Sequence, residues 1–134
     1  MRQRAVIAMS LVLDPELIIL DEPTTALDTI TQSYVFDILQ NIHKTRALSM
    51  IFITHDMAAA ARLSRNMMVM YGGRIMEVNK TSAVFLGVVH PYTRGLIDST
   101  PFIDSEVSAK KPISGAPPDL LNPPSGCLFH PRCP

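Results

Sequence analysis

Two adjacent carboxylates and a distant histidine are the residues whose types and spacing point to chemistry. Residues 17–28, LIILDEPTTALD, run from a continuous apolar stretch, Leu17-Ile18-Ile19-Leu20, directly into Asp21 and Glu22. In open parallel sheets ligands sit beyond the carboxyl ends of the strands, so a strand buried on both faces delivers this acid pair to the ligand edge. One natural reason for two acids together is a division of labour, in which Asp21 would help hold a magnesium ion, usually through water, while Glu22 would polarise the water that attacks a terminal phosphate. Pro23 then turns the chain off the strand. For LIILDE alone, a buried strand meeting an acidic turn is an equally good account. The context comes from Ile53-Thr54-His55-Asp56, in which His55 stands thirty-three positions after Glu22 at the end of a second apolar run. A helix and a return strand between the two segments bring both strand ends to one edge. Alone, His55 is more often a structural or surface histidine; beside the acidic motif the weighting reverses.

The elements that must position these residues read as alternating helix and strand over residues 1 to about 80, an α/β pattern with a parallel sheet flanked by helices. Residues 2–13 predict a helix stopped by Asp14-Pro15, because proline disfavours helical geometry in the residue before it. Asp28 is placed to cap a following helix in which Ile30, Tyr34, Val35, Ile38, Leu39 and Ile42 form one stripe to be buried. Met50-Ile51-Phe52-Ile53 predicts a second strand of the same polarity, followed by an alanine-rich helix from about Met57 to Ser64. Gly72-Gly73, between residues 67–71 and 74–78, predicts an antiparallel hairpin, since glycine tolerates the positive backbone angles of such turns. Beyond residue 80 a short helix capped by Thr81 leads to Gly87, and Pro91 opens another running to about Ser99. Residues 101–134 hold eight of the eleven prolines and predict a loop-like tail. His43 and His90 have no partner recognisable from sequence.

LIILDEPTTALD resembles the Walker B motif and D-loop of ABC ATPases. The opening MRQRAVIAMSLVLDP resembles the helix after that family's signature sequence, and the segment around His55 resembles its switch-histidine segment. The resemblance implies the C-terminal part of a P-loop ATPase sheet, with His55 contacting the terminal phosphate and Asp28 reaching across a dimer of ATPase domains. Helix capping is the plainer role for Asp28, and both are compatible. VHPYTRGL at 89–96 and ISGAPPDLLNPPSGCLFHPRCP at 113–134 resemble segments of the oligopeptide/dipeptide importer branch, and generic ABC ATPases lack both. The implied organisation is an ATPase part at 1–80 and the branch's C-terminal extension at 81–134. Implied cofactors are ATP and Mg2+. Implied partners are a second ATPase subunit, identical or different, transmembrane permease subunits and, indirectly, a solute-binding protein; the implied location is peripheral, on the cytoplasmic face of the bacterial membrane. Some members of the branch bind an iron-sulfur cluster through cysteines of the extension, which makes Cys127 and Cys133 candidate ligands. Such a cluster commonly needs four thiolates, so two reduced, solvent-facing thiols are the stronger expectation. The cargo, among oligopeptides, dipeptides, nickel and glutathione, is not legible.

Composition bounds the alternatives. With 134 residues, 47% of them hydrophobic, and twelve basic against twelve acidic side chains, the chain affords a modest core and no one-signed field to recruit nucleic acid. A signal-peptide reading of the basic, then apolar, N-terminus fails because Ser10 interrupts a short run and Asp14-Pro15 follows in place of a cleavage site. Only two cysteines occur, both near the C-terminus, which excludes a disulfide framework and fits a reducing compartment. No two of the six glycines, at 72, 73, 87, 95, 115 and 126, have the spacing of a phosphate-cradling loop. On the resemblance that loop lies upstream, Met1 is an internal methionine or the boundary of an incomplete sequence, and these residues alone are expected to be inactive. A non-transport ABC ATPase, and a non-catalytic interaction or redox module kept from a decayed gene, are the competing classes.

Overall fold

The computed structural model describes residues 2–25, 27–46, 48–100 and 113–134, in two compact units, Met1–Asp56 and Met57–Pro134. In the first unit, α1 (Arg2–Ser10), β1 (Leu17–Asp21), α2 (Thr29–Arg46) and β2 (Ser49–Ile53) follow one another. The two strands pair in parallel, Leu17 opposite Ser49 through Asp21 opposite Ile53, so both chains leave the sheet at the same end. Their core is Ile7 of α1, Ile18 and Leu20 of β1, Val35 and Leu39 of α2, and Leu48 before β2. Phe36 adds an edge-on contact with Phe52 at 6.2 Å.

Three details differ from what sequence alone predicts. Helix α1 stops at Ser10, whose hydroxyl turns back to the Ile7 carbonyl at 2.8 Å, and residues 11–13 form turns before Asp14, held at φ 50°. Strand β1 alternates between buried and exposed in place of a run buried on both faces; Ile18 and Leu20 are inside while Ile19 remains 63% exposed. The stripe of α2 is rotated: Val35, Phe36 and Leu39 are buried, whereas Ile30, 72% exposed, and Tyr34 face solvent. The reason is common to both. Only one face of the strand pair is covered within this unit, so half of each apolar alternation has nothing to bury against.

The second unit begins with α3 (Met57–Leu63), one residue shorter than expected, and continues through β3 (Asn66–Tyr71), β4 (Arg74–Lys80), α4 (Thr81–Leu86) and α5 (Pro91–Ser99). β3 and β4 form the expected antiparallel hairpin, as a sheet of their own. Gly72 and Gly73 turn it at φ 55° and 76°, a two-residue turn whose twist suits the flanking strands. Thr81 is not the cap of α4. It is the first helical residue, buried, with its hydroxyl 3.0 Å from that of Ser64, and Lys80 occupies the cap position.

Helix α5 explains the His-Pro-Tyr sequence physically. His90 is the N-cap, its Nδ1 accepting the Tyr92 N–H at 3.1 Å, and Pro91 fills the first-turn position where no N–H is needed. Buried Glu77 on β4 accepts the backbone N–H groups of Val89 and His90 at 3.2 and 3.1 Å. Neither partner of His90 was expected from sequence; His43 likewise has one, the Leu48 carbonyl 2.8 Å from its Nδ1. The loop-like tail is described from residue 113; residues 101–112 lie outside the described residues. Among its described residues the one regular piece is the 3-10 turn His130–Arg132. Leu128 and Phe129 are buried with Tyr71, and Phe129 meets Tyr71 edge-on at 5.4 Å. Arg132 then reaches the Tyr71 hydroxyl at 2.9 Å and the carbonyls of Ile113 and Ser114 at 3.2 and 2.8 Å. Three good donors on one guanidinium make the tail a clasp.

Burial by itself pushes the Glu77 carboxyl up, but the Thr93 hydroxyl and the His90 and Val89 amides outweigh it and hold the group below its usual 4.5. Thr93 Oγ1 is buried without a hydrogen bond of ordinary geometry among the described residues. A carboxyl depressed in the folded state stabilises fully above its unfolded value, and the contribution disappears as pH falls through the lower folded one. Stability of the second unit should therefore decline in acid below about 4.5, and Glu77→Gln should lower stability at pH 7 while flattening that decline. Urea midpoints across pH measure both.

Candidate functional site

The carboxyl ends of β1 and β2 bring the predicted pair together. Glu22 follows β1 immediately and His55 stands two residues past β2, so the parallel register delivers them to the same end of the sheet. The Glu22 N–H continues the ladder to the Ile53 carbonyl at 3.0 Å. Glu22 Oε1 then accepts twice from one residue, from the His55 backbone N–H at 3.0 Å and from its Nδ1 at 2.7 Å. An ionised carboxylate only accepts, so Nδ1 carries the proton in this pair. The other oxygen, Oε2, accepts the Thr25 hydroxyl at 2.9 Å.

The backbone at Glu22 is strained to achieve this. Its φ is 46°, in the left-handed region where a side-chain-bearing residue pays roughly 1–2 kcal/mol. Such a conformation persists when the surroundings over-determine it. Here the Ile53 carbonyl fixes the amide, the Thr25 N–H at 3.2 Å fixes the carbonyl, and His55 with Thr25 fixes the side chain. The His55 side chain remains 82% exposed, against 34% for Glu22, so the histidine is the outward member of the pair.

Asp21 is exposed at the last position of β1, opposite Ile53 in the ladder. A carboxylate in that place is a hard oxygen donor of the kind Mg2+ prefers. Asp28 caps α2, its two carboxylate oxygens accepting the Thr31 N–H at 2.9 Å and the Thr31 hydroxyl at 2.7 Å. The Thr31 hydroxyl, then its amide, hold the Asp28 carboxyl below its usual value. Cys127 and Cys133 are free, exposed thiols. The Cys127 sulfur lies 3.9 Å from His90 Nε2, a long contact. Among the described residues no three His, Cys, Asp or Glu side chains gather as a group able to hold a metal. The two thiols here amount to two of the four thiolates of a common cluster.

Sequence reasoning missed Thr25, Glu77 and Arg132 as contributors. Thr25 had a local signal, a hydroxyl three residues after an acid across a proline turn, where side chains bond back to the preceding residues. Glu77 and Arg132 had none, since their partners are distant in sequence.

Residues 76–134 match the family described as oligopeptide/dipeptide transporter, C-terminal region. The whole chain is similar to named transport proteins. It is 51% identical over 133 residues to the dipeptide transport ATP-binding protein DppD of Caldanaerobacter subterraneus, covering 99% of this chain and 41% of that protein. Against DppD of Bacillus subtilis the identity is 43% over 134 residues, 100% of this chain and 40% of the relative. Against the oligopeptide transport ATP-binding protein OppD of Salmonella typhimurium it is 46% over 134 residues, again 100% and 40%. The resemblance to ATP-binding subunits of the oligopeptide/dipeptide branch thus extends along the whole chain, which spans about two fifths of the length of these relatives.

The hydrogen bond from the His55 ring is the foremost cause holding the Glu22 carboxyl below its usual 4.5; desolvation opposes it, and Thr25 and the His55 amide add to it. His55→Ala should therefore raise the pH at which Glu22 titrates, followed by carbon-13 NMR of its side-chain carboxyl. Because the folded value is the lower one, the pair's stabilisation is complete above 4.5 and is lost as pH falls through the folded value.

Proposed function

We propose that this chain carries the hydrolytic end of an ABC-type ATPase subunit that drives import of dipeptides, oligopeptides or related solutes. The hydrogen-bonded Glu22–His55 pair at the ends of two parallel strands is the observation that carries the proposal. Residues 1–80 are the ATPase part and 81–134 the extension, a division that the family match beginning at residue 76 supports.

The chain's own residues divide the work. Glu22, kept anionic by its donors, orients water and withdraws its positive end from the incoming phosphate; little proton transfer is needed early in a loose phosphoryl-transfer transition state. A depressed carboxyl suits that orienting task better than full proton abstraction. His55 Nδ1 locks the ring against Glu22 and leaves the rest of the imidazole in solvent, and in the imidazolium form, in which both ring nitrogens are donors, Nε2 would donate to a phosphate oxygen. Asp21 would hold Mg2+ through water, and the ion would supply charge neutralisation of the phosphates. Asp28, placed at the N-terminus of α2, contacts the second ATPase subunit while retaining its cap.

The phosphate-gripping loop is absent from these 134 residues, so nucleotide affinity comes from elsewhere in the complete protein. The half-exposed apolar side chains Leu17, Ile19, Ile51 and Ile53 on one face of the strand pair fit a domain completed by further packing elements. Among the described residues no helix is long and apolar enough to cross a membrane. Attachment to the cytoplasmic face of the bacterial membrane is through permease subunits, and a solute-binding protein selects cargo at the other side.

In the complete ATPase, Glu22→Gln should retain ATP binding and lower turnover by at least about a hundredfold; turnover near the parent rate would refute the base assignment. The isolated 134-residue chain should show no tight ATP binding by calorimetry, because positioning and charge stabilisation need both halves of the site. A stoichiometric titration with micromolar affinity would overturn that expectation.

A further inference from the structure

Two threonines follow Pro23, and the fold uses them differently. Thr24 is buried and accepts the Gln32 side-chain amide at 3.2 Å, tying the turn to α2. Thr25 is exposed, and both its backbone N–H and its hydroxyl return to Glu22, to the carbonyl at 3.2 Å and to Oε2 at 2.9 Å. Glu22 Oε1 is already committed to the two donors of His55. A glutamate carboxyl turns easily about its last bond, whose torsional wells are broad. Contacts to Oε1 alone leave Oε2 free to swing about them. Oε2 is also the oxygen that His55 leaves accessible for a water.

We propose that Thr25 is a positioning residue of the site, its hydroxyl fixing the rotation of the Glu22 carboxylate and so the direction in which Oε2 presents its remaining lone pair to water. The role presupposes Glu22 as the water-orienting base proposed above. Burial does not explain the hydroxyl, because Thr25 is solvent-exposed and contributes nothing to the core. The neighbouring Thr24 already performs the structural task. Geometry is sensitive here: displacement of a positioned group by about 1 Å costs on the order of a hundredfold in rate, and loss of one of two anchors costs less than that.

The test uses Thr25→Val, which keeps shape and loses the hydroxyl, and Thr25→Ser, which keeps the hydroxyl. In the complete ATPase, Thr25→Val should lower kcat about tenfold with KM for ATP unchanged and the thermal midpoint close to the parent's, the signature of an interaction needed in the transition state alone, and Thr25→Ser should restore it. A parent kcat in Thr25→Val, or a loss that Thr25→Ser fails to reverse, overturns the role. Should Thr25→Val unfold the protein, Thr25→Ser still decides, since parent turnover with the hydroxyl retained supports the role and a lowered kcat is incompatible with it. Turnover surviving Glu22→Gln would remove the base; turnover lost in Glu22→Gln but indifferent to Thr25→Val would remove Thr25 and leave the base.

Discussion

The left-handed backbone of Glu22 is the constraint on which the site depends. A glutamate at φ 46° sits in a conformation it would leave if released, and it is kept there by the carbonyl of Ile53 on the neighbouring strand and by the donors of His55 and Thr25. The strain is local and modest, but it redirects the chain out of the sheet within one residue, so that the carboxylate turns toward the end of β2. Parallel pairing makes this possible: in an antiparallel pair the segments following β1 and β2 would emerge at opposite ends. The βαβ connection through α2 is thus the structural precondition of the Glu22–His55 pair.

The second unit solves a different problem, how the proline-rich residues 113–134 stay ordered without strands or long helices. Its answer is a few polar anchors of high quality around a small aromatic cluster. Glu77 fixes the entry to α5 by accepting the amide of the N-cap residue His90 and that of Val89 before it, the His90 side chain caps the helix, and Tyr92 packs tilted against Tyr71 with ring centroids 4.5 Å apart. Tyr71 and Phe129 form the wall against which Arg132 closes. Gly72 belongs to the same arrangement, because a side chain there would meet Leu128 at 2.8 Å. The His-Pro-Tyr sequence is accounted for by packing and capping within this unit, with no ligand required.

Much of this was legible beforehand where the governing interactions are short-ranged. The hairpin at Gly72-Gly73, the Asp28 cap and the α5 start at Pro91 follow from turn and cap chemistry spanning a few residues, and the parallel polarity of β1 and β2 follows from an intervening helix. The boundaries that shifted, at α1 and at Thr81, are places where a side-chain hydroxyl found another partner, Ile7 for Ser10 and Ser64 for Thr81. The stripe on α2 was misassigned because periodicity identifies an apolar face but not how much of it a partner covers. Here the strand pair covers Val35, Phe36 and Leu39 and leaves Ile30 and Tyr34 outside.

By itself the sequence determined which residue types were present for chemistry and that two strands of one polarity would carry them, since apolar runs, glycines and prolines act on their immediate neighbours. Only the tertiary structure decided that one oxygen of Glu22 is filled by both donors of His55 and that the other is held by Thr25. It also decided that Glu77 and Arg132, unremarkable as letters, hold the extension in place. Most of these contacts join residues many positions apart, and Thr25 with its near neighbour Glu22 becomes meaningful only once the strand ends have converged. Hydrogen-bond direction and angle are set when the core closes, and no spacing along the chain encodes them.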